Sequence, residues 1–358
     1  MQIVINAGGR GTRLWPLSSN SRPKQFCNII SNKSLVKLTF DRVNQEFDKD
    51  SIWVNTNKAH LDLLKESLPE ISNDRILTEP ARRDTFPAVA AHAALVASKT
   101  SADETIIFLS SDAYIAPNKS IKKHNRALKI VDQGIQDGDT ELAVLGIKPN
   151  SASPNYGYIE LRPEDKKECF DKVSSVVSFK EKPSVPVAEK YLESGNYLWN
   201  FGAFAFTFNG LLKILAKTSP ESIEPLKNIY EDGEISIENF SKLVKNSFDY
   251  VVLERVSKLG VLGVELEVWD DIGSFDTIYN YLDHIPNYKE VYKNSSSKSP
   301  CQIQISGSGN KVKLHKTDKK VAFVGTEGLI LVENEEGILV INPKHSPDVK
   351  KISGHFED

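Results

Sequence analysis

The sequence predicts an α/β fold, a large domain with a mixed, mainly parallel sheet followed by a small all-β domain. Three observations carry that prediction. Apolar β-type runs alternate with helix-spaced segments through the first third of the chain, the pattern of a parallel sheet covered by helices. A Gly-rich turn, Gly8-Gly9-Arg10-Gly11, follows the first of these runs directly. After residue 300 only short β-type runs remain, separated by Gly- and Asn-rich turns.

Taken in order, Ile3, Val4 and Ile5 are β-branched and apolar and suit a buried strand. Val36, Phe40, Val43 and Phe47 recur at helical spacing after Ser34, and residues 52–55 read as the next strand. A helix over 58–67, a short strand at 76–77, an Ala-rich helix over 86–99 and a strand at 105–109 continue the alternation. The Ala-rich helix carries few charges and is expected between layers. From 142 to 208 the chain is more β-rich, with strands expected at 142–147, 156–161, 173–180 and 201–208 and a helix over 187–192. Residues 213–246 are polar, carry Pro220 and Pro225, and are expected to form short surface helices. A last strand and turn over 261–273 leads into a helix over 275–282. The Ser/Lys/Pro stretch 294–300 reads as a linker, and β-type runs at 302–305, 321–324, 329–332 and 338–341 follow. They lack a strict repeat, so periodicity does not establish a β-helix.

Size and composition bound the rest. A chain of 358 residues suits one large domain plus a smaller one. The division expected is a catalytic domain over 1–290, a linker over 291–300 and a C-terminal β domain over 301–358. A formal charge of −3 draws the whole molecule neither to nucleic acid nor to an anionic membrane, so any anion must be bound by a local cluster. Cys27, Cys169 and Cys301 are odd in number and widely spaced, neither a disulfide framework nor a metal knuckle. No charged leader with an apolar run opens the chain, and no segment approaches about 18 uninterrupted apolar residues. A cytoplasmic protein without nucleic-acid or membrane partners is expected.

The segment after the first strand is a phosphate cradle. Gly8, Gly9 and Gly11 let backbone amides approach an anion, and Arg10, Arg13 and Lys24 bring positive charge to the same place. Neither familiar nucleotide loop fits: a Walker A loop would end in Gly-Lys-Ser/Thr, but Thr12 and Arg13 follow Gly11, and the dinucleotide fingerprint needs a glycine where Leu14 stands.

The string from Ala7 to Pro16, Ala-Gly-Gly-Arg-Gly-Thr-Arg-Leu-Trp-Pro, with Pro23-Lys24-Gln25-Phe26, resembles the opening of the sugar-nucleotide pyrophosphorylases. The Leu14-Trp15-Pro16 and Lys24-Gln25-Phe26 pieces are closest to the mannose-1-phosphate guanylyltransferases within that family. The resemblance implies a Rossmann-like nucleotidyltransferase domain in which Ala7, Gly8, Gly9, Gly11 and Thr12 wrap a nucleoside triphosphate while Arg13 and Lys24 hold its phosphates. Asn6 stands where the family usually has Leu or Met, a change in the wall beside the base.

Four further blocks match in family order. Ser110-Ser111-Asp112 follows the strand at 105–109, at the carboxyl end where ligands of open α/β sheets bind. With Asp271 in Trp269-Asp270-Asp271-Ile272-Gly273, Asp112 supplies the pair of aspartates with which the family holds Mg2+. Ala113 replaces the family's histidine. Glu79-Pro80-Ala81-Arg82-Arg83-Asp84-Thr85 reads from its residues as a capped helix start and resembles the family's base-recognition loop. Asp84 takes the asparagine position, and its carboxylate, or nearby backbone, is expected to favour guanine over adenine; Ser111 joins the nucleotide-binding set.

On the sugar-phosphate side, the resemblance places Gly157 and Glu160 of Tyr156-Gly-Tyr-Ile-Glu160 on the sugar, Glu181 beside it, Lys182 of Glu181-Lys182-Pro183 on its phosphate, and Asn200 on hydroxyls. Phe201 replaces the customary serine, either reshaping the pocket or pointing into the core. The chemistry implied is in-line attack of a sugar 1-phosphate oxygen on the α-phosphate of GTP, with pyrophosphate leaving. The nucleophile is already an anion, so positioning and charge neutralisation by Mg2+, Arg13, Lys24 and Lys182 replace a general base. In the family the C-terminal β segment often serves in dimer contacts, so a homodimer is expected. A different GDP-sugar product, such as a GDP-heptose, and a non-catalytic nucleotide-sugar-binding relative are the alternatives; a second, isomerase activity is not expected.

Overall fold

The computed structural model of the chain describes residues 1–9, 11–281, 302–305, 308–313 and 321–356. Arg10, Leu282, Cys301 and the expected linker at 291–300 lie outside them. In chain order the strands before residue 281 are β1 (Gln2–Asn6), β2 (Ile52–Asn57), β3 (Ile76–Glu79), β4 (Thr105–Ser110), β5 (Tyr114–Ala116), β6 (Leu142–Ile147), β7 (Tyr158–Leu161), β8 (Ser174–Lys180), β9 (Tyr197–Thr207), β10 (Leu259–Gly263) and β11 (Val268–Asp270). A nine-stranded sheet has the order β3-β2-β1-β4-β9-β6-β10-β8-β7. β8 and β9 run against the other seven strands, so the sheet is mixed and mainly parallel.

Strand alternation divides two apolar cores. On β1 and β4, Ile3, Ile5, Ile107 and Leu109 face one side, where they meet helices α1 (Leu35–Val43) and α4 (Asn118–Gln136). Val4, Ile106 and Phe108 face the other, against helix α3 (Thr85–Lys99). Every residue of α3 from Phe86 to Ala97 is buried, which is why that helix is alanine-rich: helices α7 (Phe208–Thr218) and α8 (Ile223–Asp232) cover its outer side, and α9 (Ile237–Lys242) packs on α8. The remaining helices are α2 (Leu61–Ser67), α5 (Asp165–Glu168), α6 (Val185–Ser194), α10 (Phe275–Tyr281) and α11 (Val349–Phe356).

Two expectations need correction. Residues 213–246 are not merely surface helices: Leu226, Ile229 and Phe240 are fully buried. The polar residues between these anchors hide their spacing. No element is expected from the sequence over 113–141, where α4 and the short strand β5 lie. Lysines and the buried polar residues Ser120, His124 and Asn125 dilute the apolar stripe of α4.

Beyond residue 301, β12 (Gln302–Ile305) pairs in parallel with β14 (Val321–Val324), and β13 (Lys311–Lys313) with β15 (Ile330–Asn334). Gln302 faces Val321 and Lys311 faces Ile330, the same 19-residue offset, so the chain coils back over itself. β16 (Gly337–Ile341) closes a hairpin with β15, and α11, which no sequence signal foretells, follows it. The inner residues Ile330, Val332, Leu339, Ile341 and Val349 form one apolar cluster with Leu14, Trp15, Ile29, Ile30, Ile272, Phe275 and Ile278. No helix among the described residues is long and apolar enough to cross a membrane.

Candidate active site

A cavity of about 500 Å³ opens at the carboxyl ends of the strands. The topology puts it there. β1 lies between β2 and β4, with Asn6 in register with Asn55 and Ser110, so the turns after β1 and β4 emerge side by side where the strand order reverses.

The glycine loop is fixed from beneath. Buried Gln25 donates its amide to the Ala7 carbonyl at 2.8 Å and the Gly9 carbonyl at 3.3 Å, Thr56 Oγ1 donates to Ala7 O at 3.2 Å, and Ser18 Oγ to Gly11 O at 2.6 Å. Gly11 has a φ of 64° and packs on Lys24 so closely that a Cβ would come within 2.7 Å of Lys24 Cβ. The C-terminal segment braces the loop from outside: the Asn334 amide donates to the Pro16 carbonyl, and Trp15 is buried against Gly337, where a Cβ would meet its ring at 3.0 Å.

Lys24, Arg13, Asp112 and Asp271 converge. β5 and β11 form a two-stranded ribbon that pairs Asp270 with Tyr114 and so carries Asp271 back toward Asp112. Lys24 Nζ lies 2.6 Å from Asp112 Oδ2 and donates to the Asp271 carbonyl at 3.3 Å. At Gly273 a Cβ would stand 3.2 Å from the Asp271 carboxylate and 3.4 Å from an Arg13 guanidinium nitrogen, which places those two groups around the same point. Burial opposes charge on Asp112, but the Lys24 ammonium and the Ser110 hydroxyl prevail and hold its carboxyl below the usual carboxylate range. Asp270 goes the other way, to about 8, through burial and the neighbouring Asp271 charge.

The wall beside Gly8 carries Asn6, Asn55, Glu79, Arg82, Arg83, Asp84 and Thr85. Glu79 Oε1 would lie 3.8 Å from a Cβ on Gly8, and burial pushes this carboxyl up to about 7. Asp84 is exposed, has a φ of 75°, and caps α3 with Oδ1 accepting from the Thr85 amide at 2.7 Å. Arg83 spends a donor on the Leu243 carbonyl at 3.0 Å. Asn55 donates to Asn6 Oδ1 at 2.5 Å, which turns the Asn6 NH2 away from Asn55. Neither Asn55 nor Arg82 belongs to the residues singled out from sequence; their place follows only from the strand register and the loop before α3.

Opposite stand Tyr156, Gly157, Glu181, Lys182, Asn200, Phe201 and Asp249. β9 reaches this wall, and the Asn200 amide donates to the Gly157 carbonyl at 2.8 Å. A Cβ on Gly157 would come within 2.7 Å of Glu181 Oε2 and 3.3 Å of Asn200 Cβ, so the glycine is what lets the three residues touch. Lys182 pairs with Glu181 and holds a φ of 45°, unusual for a residue with a side chain. Burial works against its charge, but Glu181 outweighs it and keeps the Lys182 ammonium above its ordinary value.

Of the singled-out residues, Ala7, Gly11, Arg13, Lys24, Pro80, Ser111 and Glu160 do not line the cavity, whereas Phe201 does. Glu160 is three residues along from Gly157, on the opposite face, where it accepts from Ser178 Oγ at 2.6 Å. Ser111 is buried: its amide donates to Asn6 O and its carbonyl accepts from Thr39, so Ser110 faces the cavity instead. Phe201 is 4% exposed and packs 5.4 Å from the His124 ring and 5.5 Å from Trp269, making core and cavity floor at once. Asp249 is the residue missed here; a lone acid after Phe248 carries no signal of its place.

Comparisons with known proteins give the chain a family. Residues 2–287 match the Nucleotidyl transferase family model. The chain is 32% identical to the mannose-1-phosphate guanylyltransferases of Klebsiella pneumoniae and Escherichia coli over 357 residues, covering 97% of this chain and 72% of each relative. A solved structure described as mannose-1-phosphate geranyltransferase from Thermus thermophilus superposes with a TM-score of 0.83 at 25% identity, over 100% of this chain and 99% of that one. On that match, the chain belongs to the nucleotidyl transferase family.

Proposed function

We propose that the protein transfers GMP from GTP to mannose 1-phosphate, giving GDP-mannose and pyrophosphate. The observation that carries this reading is a cavity lined on one side by Gly8 and Gly9 of the cradle and by Asp112 and Asp271, with Lys24 paired to Asp112 beside it, and on the other by Gly157, Glu181, Lys182 and Asn200. Relatives of that name at 32% identity support the choice of substrates.

In this reading the triphosphate lies along Gly8, Gly9, Gly11 and Thr12, and Arg13 and Lys24 neutralise its phosphates. Lys24 is paired with Asp112 beforehand, so an arriving phosphate competes with that carboxylate for the ammonium. The Asp84 carboxylate, or nearby backbone, accepts from the guanine N1–H and exocyclic amine, with Glu79, Pro80, Arg83 and Thr85 closing that side. Lys182 receives the sugar phosphate; Gly157, Glu181 and Asn200 take the sugar. A phosphate oxygen of the sugar attacks the α-phosphorus, the new P–O bond forms as the bond to the β-phosphate oxygen breaks, and the electron pair leaves on pyrophosphate.

Asp112 and Asp271 suit Mg2+. No group of three or more candidate protein ligands exists among the described residues, and two carboxylates completed by phosphate oxygens and water are the donor set this ion favours. When bound, the ion neutralises charge on the phosphates and aligns them.

The proposed organisation is a catalytic domain over 1–290, a linker over 291–300 and a C-terminal β domain over 301–358. A homodimer through the β domain is supported by exposed apolar side chains there: Ile338 and Val340 on β16 are 58% and 56% exposed, and Val324 on β14 is 64% exposed. The substrates and the buried free thiols Cys27 and Cys169 suit a cytoplasmic protein. Pyrophosphate release measured across four nucleoside triphosphates and several hexose and heptose 1-phosphates tests the reading. GTP with mannose 1-phosphate is expected to give the highest kcat/KM; a preference for a heptose 1-phosphate replaces the sugar, and no release with any pair overturns catalysis.

A further inference from the structure

The segment Asp249–Leu253 is a single π-helical turn, a form frequent at functional sites. Val251, Val252 and Leu253 anchor it in the core beside fully buried Phe248. Both of its ends reach the sugar-side wall. At the start, Asp249 faces the cavity, its Oδ1 accepting from Asn200 Nδ2 at 3.4 Å. Just past the end, Glu254 Oε1 accepts from the Glu181 amide at 3.1 Å and from Lys180 Nζ at 3.3 Å. One turn thus holds a carboxylate in the cavity and grips the strand end that carries Lys182 in its positive-φ conformation.

Charge decides what Asp249 can meet. Glu181 lies beside it, Asp84 adds to the negative field, and Lys182 is the cation acting on it. Burial and the Glu181 charge push the Asp249 carboxyl up to about 7. A phosphate therefore belongs at Lys182, and a pair of neighbouring carboxyls suits neutral hydroxyl donors instead. A half-buried acceptor left unpaired is costly, so it discriminates against a ligand lacking the donor.

We propose that Asp249 is a specificity-determining residue that accepts a hydrogen bond from one hydroxyl of the sugar 1-phosphate, and that Glu254 is a positioning residue that fixes Glu181 and Lys182 for the same ligand. This rests on the proposed nucleotidyl transfer to a sugar 1-phosphate. The test is steady-state kinetics of wild type, Asp249→Ala, Glu254→Ala and Glu254→Gln with mannose 1-phosphate and its monodeoxy analogues. Asp249→Ala, which removes the acceptor, is expected to raise KM for mannose 1-phosphate about tenfold or more while KM for GTP stays within about twofold, which also reports an intact fold. With one deoxy analogue the wild type and the variant become equal. Glu254→Ala raises the sugar KM, and Glu254→Gln, which keeps an acceptor for the Glu181 amide, restores it. Equal losses on both substrates, or on every deoxy analogue, overturn the assignment while leaving the transfer reaction in place. No wild-type turnover with any sugar 1-phosphate overturns both.

Discussion

The two walls of the cavity are built by different means. The wall we assign to the triphosphate is built around one contiguous stretch, residues 6–26, at the ends of parallel strands, with Asp112 and Asp271 beside it; Gln25, Thr56 and Ser18 pin the carbonyls of Ala7, Gly9 and Gly11. The wall we assign to the sugar is assembled from Gly157, Glu181, Asn200 and Asp249, four segments brought together by antiparallel pairing of β7, β8 and β9 and by the turn at Asp249–Leu253. Phosphates are shared by all substrates of such an enzyme and tolerate a fixed, backbone-lined cradle. A sugar must be told from its epimers, which needs side chains placed one by one.

The largest effect is expected on the triphosphate wall. Lys24→Ala or Arg13→Ala removes a preorganised cation from the transferring phosphates and lowers kcat/KM by roughly a hundredfold or more. If either variant keeps most of its turnover, that residue leaves the catalytic set and the cradle loses its distinction from the opposite wall.

A smaller and more selective effect is expected at Gly157. Gly157→Ala drives a methyl to 2.7 Å from Glu181 Oε2 and 2.8 Å from Phe179 Cζ, an overpacking worth about 1–3 kcal/mol. KM for the sugar 1-phosphate rises, whereas KM for GTP is unchanged. Parallel loss of both affinities contradicts separate walls.

The smallest effect is thermodynamic. The Glu79 carboxyl is raised by burial to about 7, against about 4.3 for a free side chain. The folded state favours its neutral form, so its contribution to stability is full below about pH 4 and is lost as pH rises through about 7. Glu79→Gln stays neutral throughout. The fall in melting temperature between pH 5 and pH 8 is therefore expected to be shallower in the variant than in the wild type; identical pH profiles place Glu79 in water and out of the base wall.

How much of this is legible in the sequence follows the same division. The contiguous cradle, the caps at Ser34 and Asp84, and the strands from β1 to β4 can be read because their signals are local: glycines, β-branched runs and capping side chains. α4 escapes because lysines and buried His124 and Asn125 interrupt its apolar stripe. The convergence of Asp112 and Asp271 depends on a ribbon between residues 114–116 and 268–270, a pairing of segments far apart in the chain that no spacing announces. Glu160 and Ser111 are drawn in by their motifs, and only the alternation of their strands and the hydrogen bonds of Ser111 show that they face elsewhere. Asp249 shows the converse: ordinary in sequence, it gains its place from a π-helical turn and a neighbour 49 residues away.

The central claim is direct transfer in a cavity whose two walls must both be filled before the bond to pyrophosphate breaks. Exchange of labelled pyrophosphate into GTP tests it most directly. With protein, Mg2+, GTP and labelled pyrophosphate alone, no label is expected in GTP, and exchange is expected to begin once mannose 1-phosphate is added. Label entering GTP without any sugar 1-phosphate contradicts the account, because it requires the nucleotidyl group to be held by the protein itself.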